Sequence, residues 1–123
     1  MNIITLINAA NVFNQFAQTK TTPAIAYKIM KFCKSVAAEE EFYNEKRNEI
    51  INAYAKRDEN GQIVVQDGMI GIEPDKIEEA NKAFGELNDI EVEAPKIKFK
   101  LSELEGFELS AADMFTLDDF IEE

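Results

Sequence analysis

The residues able to do chemistry are few in kind and uneven in place. The chain has 123 residues with no His, no Trp and one Cys, Cys33, beside 24 Asp+Glu and 13 Lys+Arg, for a net charge of −11. Without imidazole there is no Ser-His-Asp or Cys-His catalysis, and no metal site that needs a His ligand. One Cys excludes an internal disulfide framework and fits a reducing compartment. Cys33 follows Phe32 on an apolar helical seam, where a thiol is buried and inert. A Gly-rich phosphate loop is missing, since Gly68 and Gly71 fall in hairpin sequence with no Lys-Ser/Thr after them. Asp58-Glu59-Asn60-Gly61 starts like a calcium loop, but its Gly comes too early and Met69 stands where the bidentate Glu belongs. So many acids generate carboxylate pairs by chance, and nothing marks one pair as buried, the condition for a general acid. The chain reads as a non-enzyme, with no catalytic residue, cofactor or metal ligand expected.

What remains is charge and apolar surface. Residues 1–38 carry Lys20, Lys28, Lys31 and Lys34 and no acid, a balance of +4. Residues 39–100 carry nine bases against sixteen acids, and residues 101–123 carry eight acids and no base. Two readings are open: a solvated surface, or an acidic end lying near the basic one in this chain or in a neighbouring copy. Direct nucleic-acid binding is disfavoured, because counterion release needs a basic face. The four lysines make at most a small local anion site. The acid-rich stretch from Glu39 and Glu40 to Glu49 is either a solvated helix face or a charge mimic for the basic groove of a nucleic-acid-binding protein. The run Leu104-Glu105-Gly106-Phe107-Glu108-Leu109, with Met114-Phe115 and Phe120-Ile121 after it, interleaves large apolar groups with acids. It reads as a tail docked on the core or as a peptide for a partner's groove. The candidate partner-binding residues are therefore Glu39, Glu40, Tyr43, Ile50, Tyr54, Phe107, Phe115 and Phe120.

Helices must position most of these groups. Ile3, Leu6, Ile7, Ala10, Phe13 and Ala17 recur at three- and four-residue steps, predicting a helix over about 2–18 whose stripe Val12 and Phe16 widen. Its other face is neutral (Asn8, Asn11, Asn14, Gln15, Gln18), and so cheap to cover on a second side. Thr22-Pro23 starts a second helix, with no breaker until Asn60-Gly61. A helix over 23–57 is roughly 50 Å long, against a diameter of about 35 Å for one compact domain of this length. It must kink, project or meet another subunit. Ile25, Ile29, Phe32, Val36, Tyr43, Ile50 and Tyr54 form its seam, thin in the second half, as in two-helix contact.

Beyond it, Gln62–Gln66 and Met69–Ile72 flank Asp67-Gly68, a strong hairpin signal. Pro74 opens a third helix to about Asn88, with Ile77, Ala80, Phe84 and Leu87 inward. Residues 90–101 alternate as a strand whose inward parity flips at Ala94-Pro95, which demands a bulge or break. Ser110-Ala-Ala-Asp113 and Thr116-Leu-Asp-Asp119 are two variant capping boxes in a short helical tail. The class is α+β: a helical hairpin with one long helix, a small mainly antiparallel sheet, a third helix and a short helical C-terminal tail. It is read as one domain with three parts, 1–57, 58–101 and 102–123.

In this order the elements resemble a family of short proteins of unknown function from tailed phages and prophages. The resemblance rests on Pro23-Ala-Ile-Ala-Tyr27-Lys-Ile29 leading into the long acidic helix, Tyr54-Ala-Lys-Arg-Asp-Glu-Asn-Gly61, Pro74-Asp-Lys-Ile77, the 90–101 stretch and Glu108-Leu-Ser-Ala-Ala112. It implies a phage origin and the host bacterial cytoplasm, and it supplies no catalytic residues. That location agrees with a start that lacks a basic n-region and with apolar runs far short of the roughly 18 residues of a membrane span. The expected function is protein-protein binding by a non-enzymatic accessory protein, a possible homo-oligomer, acting on a host defence or nucleic-acid-handling protein. The alternatives are a virion assembly or tail-related component, and a sponge for a small anionic signalling nucleotide held by the four lysines.

Overall fold

A computed structural model describes residues 1–122 and has the α+β class. In chain order the elements are α1 (Ile3–Asn14), α2 (Pro23–Tyr54), β1 (Val65–Gln66), β2 (Met69–Ile70), α3 (Ile77–Asn88), β3 (Phe99–Lys100), α4 (Ala111–Leu117) and β4 (Ile121–Glu122). Contacts divide the chain into two compact units, one from Met1–Glu40 with Glu91–Glu123, the other Glu41–Ile90. The division falls inside α2, so the length that exceeds one compact domain is shared between two cores. Unit 2 carries twelve acids against six bases, a net of −6, which leaves −5 for unit 1.

Unit 1 is built on Phe rings. Phe13 of α1 lies 4.7 Å from Phe32 of α2 and 4.6 Å from Phe99 of β3, centroid to centroid. Phe120 meets Phe32 edge-on at 4.8 Å, and Phe107 stacks on Phe16 at 4.5 Å. The predicted α1 stripe is buried from Ile3 to Phe16, and its Asn and Gln face is exposed. Only Ala17 departs, because α1 ends at Asn14 and tightens into three-residue turns, with Phe16 N–H to the Phe13 carbonyl at 3.0 Å.

The 90–101 stretch keeps its alternation but is not a continuous strand. It touches other backbone only near its ends, in a bridge between Asn2 and Glu91 and in the parallel pairing of Phe99 with Ile121. Val92 and Ala94, then Ile97 and Phe99, face the core, so the parity break at Pro95 is real. Between those two ends the segment has no ladder partner among the described residues, and there its inward side chains hold it on the core. Leu101, expected inward, is exposed as it opens a short 3-10 turn over Leu101–Leu104.

In the tail, Ser110 caps α4: its hydroxyl accepts the Asp113 N–H at 3.0 Å, and Asp113 accepts the Ser110 N–H at 3.2 Å. The second expected box is absent. The Thr116 hydroxyl donates to the Ala112 carbonyl at 3.0 Å from inside α4, and Asp118–Phe120 is a 3-10 turn.

Unit 2 joins the second part of α2 to the hairpin and α3. Its buried apolar residues are Ile51, Ala55, Ala80 and Leu87. The Tyr43 hydroxyl donates to Asn88 at 2.6 Å, tying α2 to α3. Asp67 and Gly68 have φ of 53° and 76°, the two left-handed residues of a type I′ turn, and Val65 pairs with Ile70 across it. The strand expected over 62–66 shortens to β1, with a separate bridge from Ile63 to Arg57. Asp58 turns the preceding loop by accepting the N–H groups of Asn60 and Gln62 at 2.9 and 3.0 Å. Ile77, expected inward, is 46% exposed at the first position of α3.

Candidate functional site

Apolar surfaces stand out in both units. In unit 2, Phe42, Lys46, Glu49 and Ile50 lie at four-, seven- and eight-residue steps on α2, one helical face. Ala83, Glu86, Leu87 and Ile90 form a matching stripe on and just after α3. Together they bound a groove of about 480 Å³ with an apolar floor and a charged rim. Phe42 is 41% exposed and Ile90 37%, large values for such residues. Lys46 pairs with Glu49 at 3.3 Å and sits 5.9 Å from the centre of the Phe42 ring. The hairpin adds a second apolar groove lined by Ile51, Met69, Ile70, Ile72 and Phe84, with Met69 74% exposed.

In unit 1 a cavity of about 560 Å³ opens where α1 ends and α2 begins. Phe13, Phe16 and Ile29 form its floor, Met30 and Cys33 part of its wall, and Thr19, Thr21 and Lys34 its edge. Burial first, and then the Glu40 carboxylate, push the Cys33 thiol above the ordinary cysteine range. The thiol is therefore neutral near pH 7, a packing group without nucleophilic character.

The residues singled out from sequence separate into three environments. Phe107 and Phe120 fill the unit 1 core and offer nothing to a partner, so the tail docks on its own unit. Phe115, on the outer face of α4, is fully presented. On α2, Tyr43, Ile50 and Tyr54 are half-buried in unit 2, and Ile50 alone of the three lines its groove. Glu39 and Glu40 are half-buried at the end of the unit 1 portion of α2, and one Glu39 oxygen is shielded from solvent with no hydrogen-bond partner among the described residues. Of the four lysines, Lys28 is engaged: it pairs with Glu103 at 3.0 Å and lies 4.9 Å over the Phe99 ring. The Lys100 N–H at 2.8 Å, and then Lys28, hold the Glu103 carboxyl below its usual range. Lys20, Lys31 and Lys34 are exposed, with no ion pair among the described residues.

Sequence reasoning missed Phe42, Leu87 and Ile90 as groove residues, and Met30 and the two Thr as cavity residues. The signal for the groove lay in two stripes forty residues apart in the chain, at helical spacing, each mixing apolar and charged residues. Among the described residues no helix is long and apolar enough to cross a membrane, and no group of three or more His, Cys, Asp or Glu is placed to hold a metal. No protein family model, characterised protein or solved structure matches the chain.

Proposed function

We propose that the protein acts without catalysis, as a phage-encoded accessory protein whose unit 2 groove takes a basic amphipathic helix from a host protein. The observation that carries this reading is the pair of parallel-spaced stripes around an apolar floor, on a unit with twelve acids and six bases. A groove between two helices accepts the apolar face of a third, anchored at three- and four-residue steps. The surrounding acids, of which Glu45, Glu78, Glu79 and Glu86 are exposed, favour a partner with Lys and Arg on its outer face. Host proteins that handle nucleic acid carry such basic surfaces, so this class of partner fits best.

The test is affinity capture from infected host cells with the wild-type chain, Phe42→Asp and Ile90→Asp, read by mass spectrometry. Both substitutions fall on partly exposed side chains, so the fold persists. A basic protein retained by wild type, released by salt and lost with either variant is the expected result. Equal retention by all three proteins, or retention indifferent to salt, refutes the reading.

A further inference from the structure

Phe115 is the most exposed large apolar residue of the described chain, at 86%. It is not on a loose end. The Ser110–Asp113 capping box fixes the start of α4, and Leu117 and Phe120 on either side of the following turn anchor it in the core. Exposing a Phe ring on so firmly held a turn forgoes the burial that drives folding, and an isolated exposed aromatic on a rigid support has the form of an interface anchor. The carboxylates of Asp118 and Asp119 are exposed beside it, in a tail segment that contains no base.

The same unit holds the complementary shape. The cavity at the end of α1 has an apolar floor, and Lys34 stands at its edge. Lys20 sits between the two lining residues Thr19 and Thr21, and Lys31 follows the lining residue Met30. None of these three lysines has an acid partner among the described residues. One molecule cannot satisfy both features. Phe115 borders Thr5 and Asn8 in the first half of α1, whereas the cavity begins at Phe13 and opens beyond the helix end.

We propose that a second copy of this chain occupies the cavity: Phe115 of one molecule seats on Phe13, Phe16 and Ile29 of the next, and Asp118 and Asp119 meet Lys34 and its neighbours at the edge. Apolar insertion supplies the affinity and the opposed charges select the orientation. The contact is heterologous, so it builds a chain or a ring unless two molecules reciprocate it as a closed dimer. It involves no residue of the unit 2 groove and stands or falls independently of it.

The experiment measures solution mass against protein concentration and salt for the full chain, for Phe115→Ser, and for Ala26→Trp, which fills the cavity from an exposed wall position. Wild type associates at low salt, and salt weakens the association by screening the charged edge. Each variant alone associates about tenfold or more weakly, the loss that follows from withdrawing one Phe side chain from an apolar pocket. Mixed together, Phe115→Ser offers an open cavity and Ala26→Trp an intact Phe115, so the mixture forms a 1:1 pair. A wild type that stays monomeric up to millimolar concentration, a Phe115→Ser that associates as wild type does, or a mixture that forms no pair overturns the proposal.

Discussion

Phe13 meets rings from two other segments, Phe32 and Phe99, and is fully buried, so the core of unit 1 turns on it. Phe13→Ala removes the shared ring and leaves a cavity that three separate segments cannot close. It is expected to cost about 3–5 kcal/mol, read as a lowered denaturant midpoint with unchanged slope. Phe115→Ala, at concentrations where the chain is monomeric, changes stability by less than about 0.5 kcal/mol. Cys33 gives a pH prediction. Its thiol is raised in the folded state by burial and by Glu40, so the unfolded chain loses this proton first. The folded state keeps its full stability below the ordinary cysteine value of about 8.5 and loses part of it as pH rises from there toward the shifted value. Unfolding curves at rising pH should show that loss in wild type and less of it in Cys33→Ala, and thiol labelling of the folded protein should run slower than that of the unfolded chain. Which single residues matter was partly legible: the helical spacing named Phe13 and Phe32 as core. It had no means to separate Phe107 and Phe120, which are buried, from Phe115, which is not, because all three stand among acids at similar spacing.

At the scale of elements, turns and caps carry the most direct link from residue type to structure. Gly68 has φ of 76° and open space where a Cβ would stand. Gly68→Ala therefore meets no neighbour, and its cost is the strain of a Cβ-bearing residue held at a left-handed φ, about 1 kcal/mol or a little more, seen as a lower melting temperature. Ser110 and Thr116 looked equivalent as capping residues and are not. Ser110→Ala removes a true cap, worth about 1 kcal/mol, whereas Thr116→Ala removes a bond back to Ala112 inside the helix and should be close to neutral. Comparing the two melting temperatures checks the assignment. The capping pattern records local chemistry, but whether it is used depends on where the preceding helix stops. The 90–101 stretch teaches the same lesson: alternation marked Val92, Ala94, Ile97 and Phe99 as inward, but Ile90 and Leu101 at its ends are exposed, and its backbone pairs only near those ends, with Asn2 and with β4.

For the molecule as a whole, the two units differ in how much they bury. Unit 1 contains the Phe cluster and most of the buried apolar residues, while unit 2 buries Ile51, Ala55, Ala80 and Leu87. Local opening free energy follows buried apolar contact. Hydrogen exchange should accordingly be faster across β1, β2 and the loop between Asp58 and Gln62 than across α1, in peptides resolved by mass spectrometry. Uniform protection across both would show that the two unfold as one cooperative body. Composition, the absence of imidazole, the charge run from +4 to −8, the helix spans and the Asp-Gly turn were determined by the sequence alone, because each depends on residues near one another in the chain. Tertiary structure decided the rest. It sent Phe107 and Phe120 inward and Phe115 outward, engaged Lys28 while leaving Lys20, Lys31 and Lys34 without an ion pair among the described residues, and joined stripes at 42–50 and 83–90 into one groove. Those outcomes depend on which distant segments share a surface, and spacing along the chain carries no record of that.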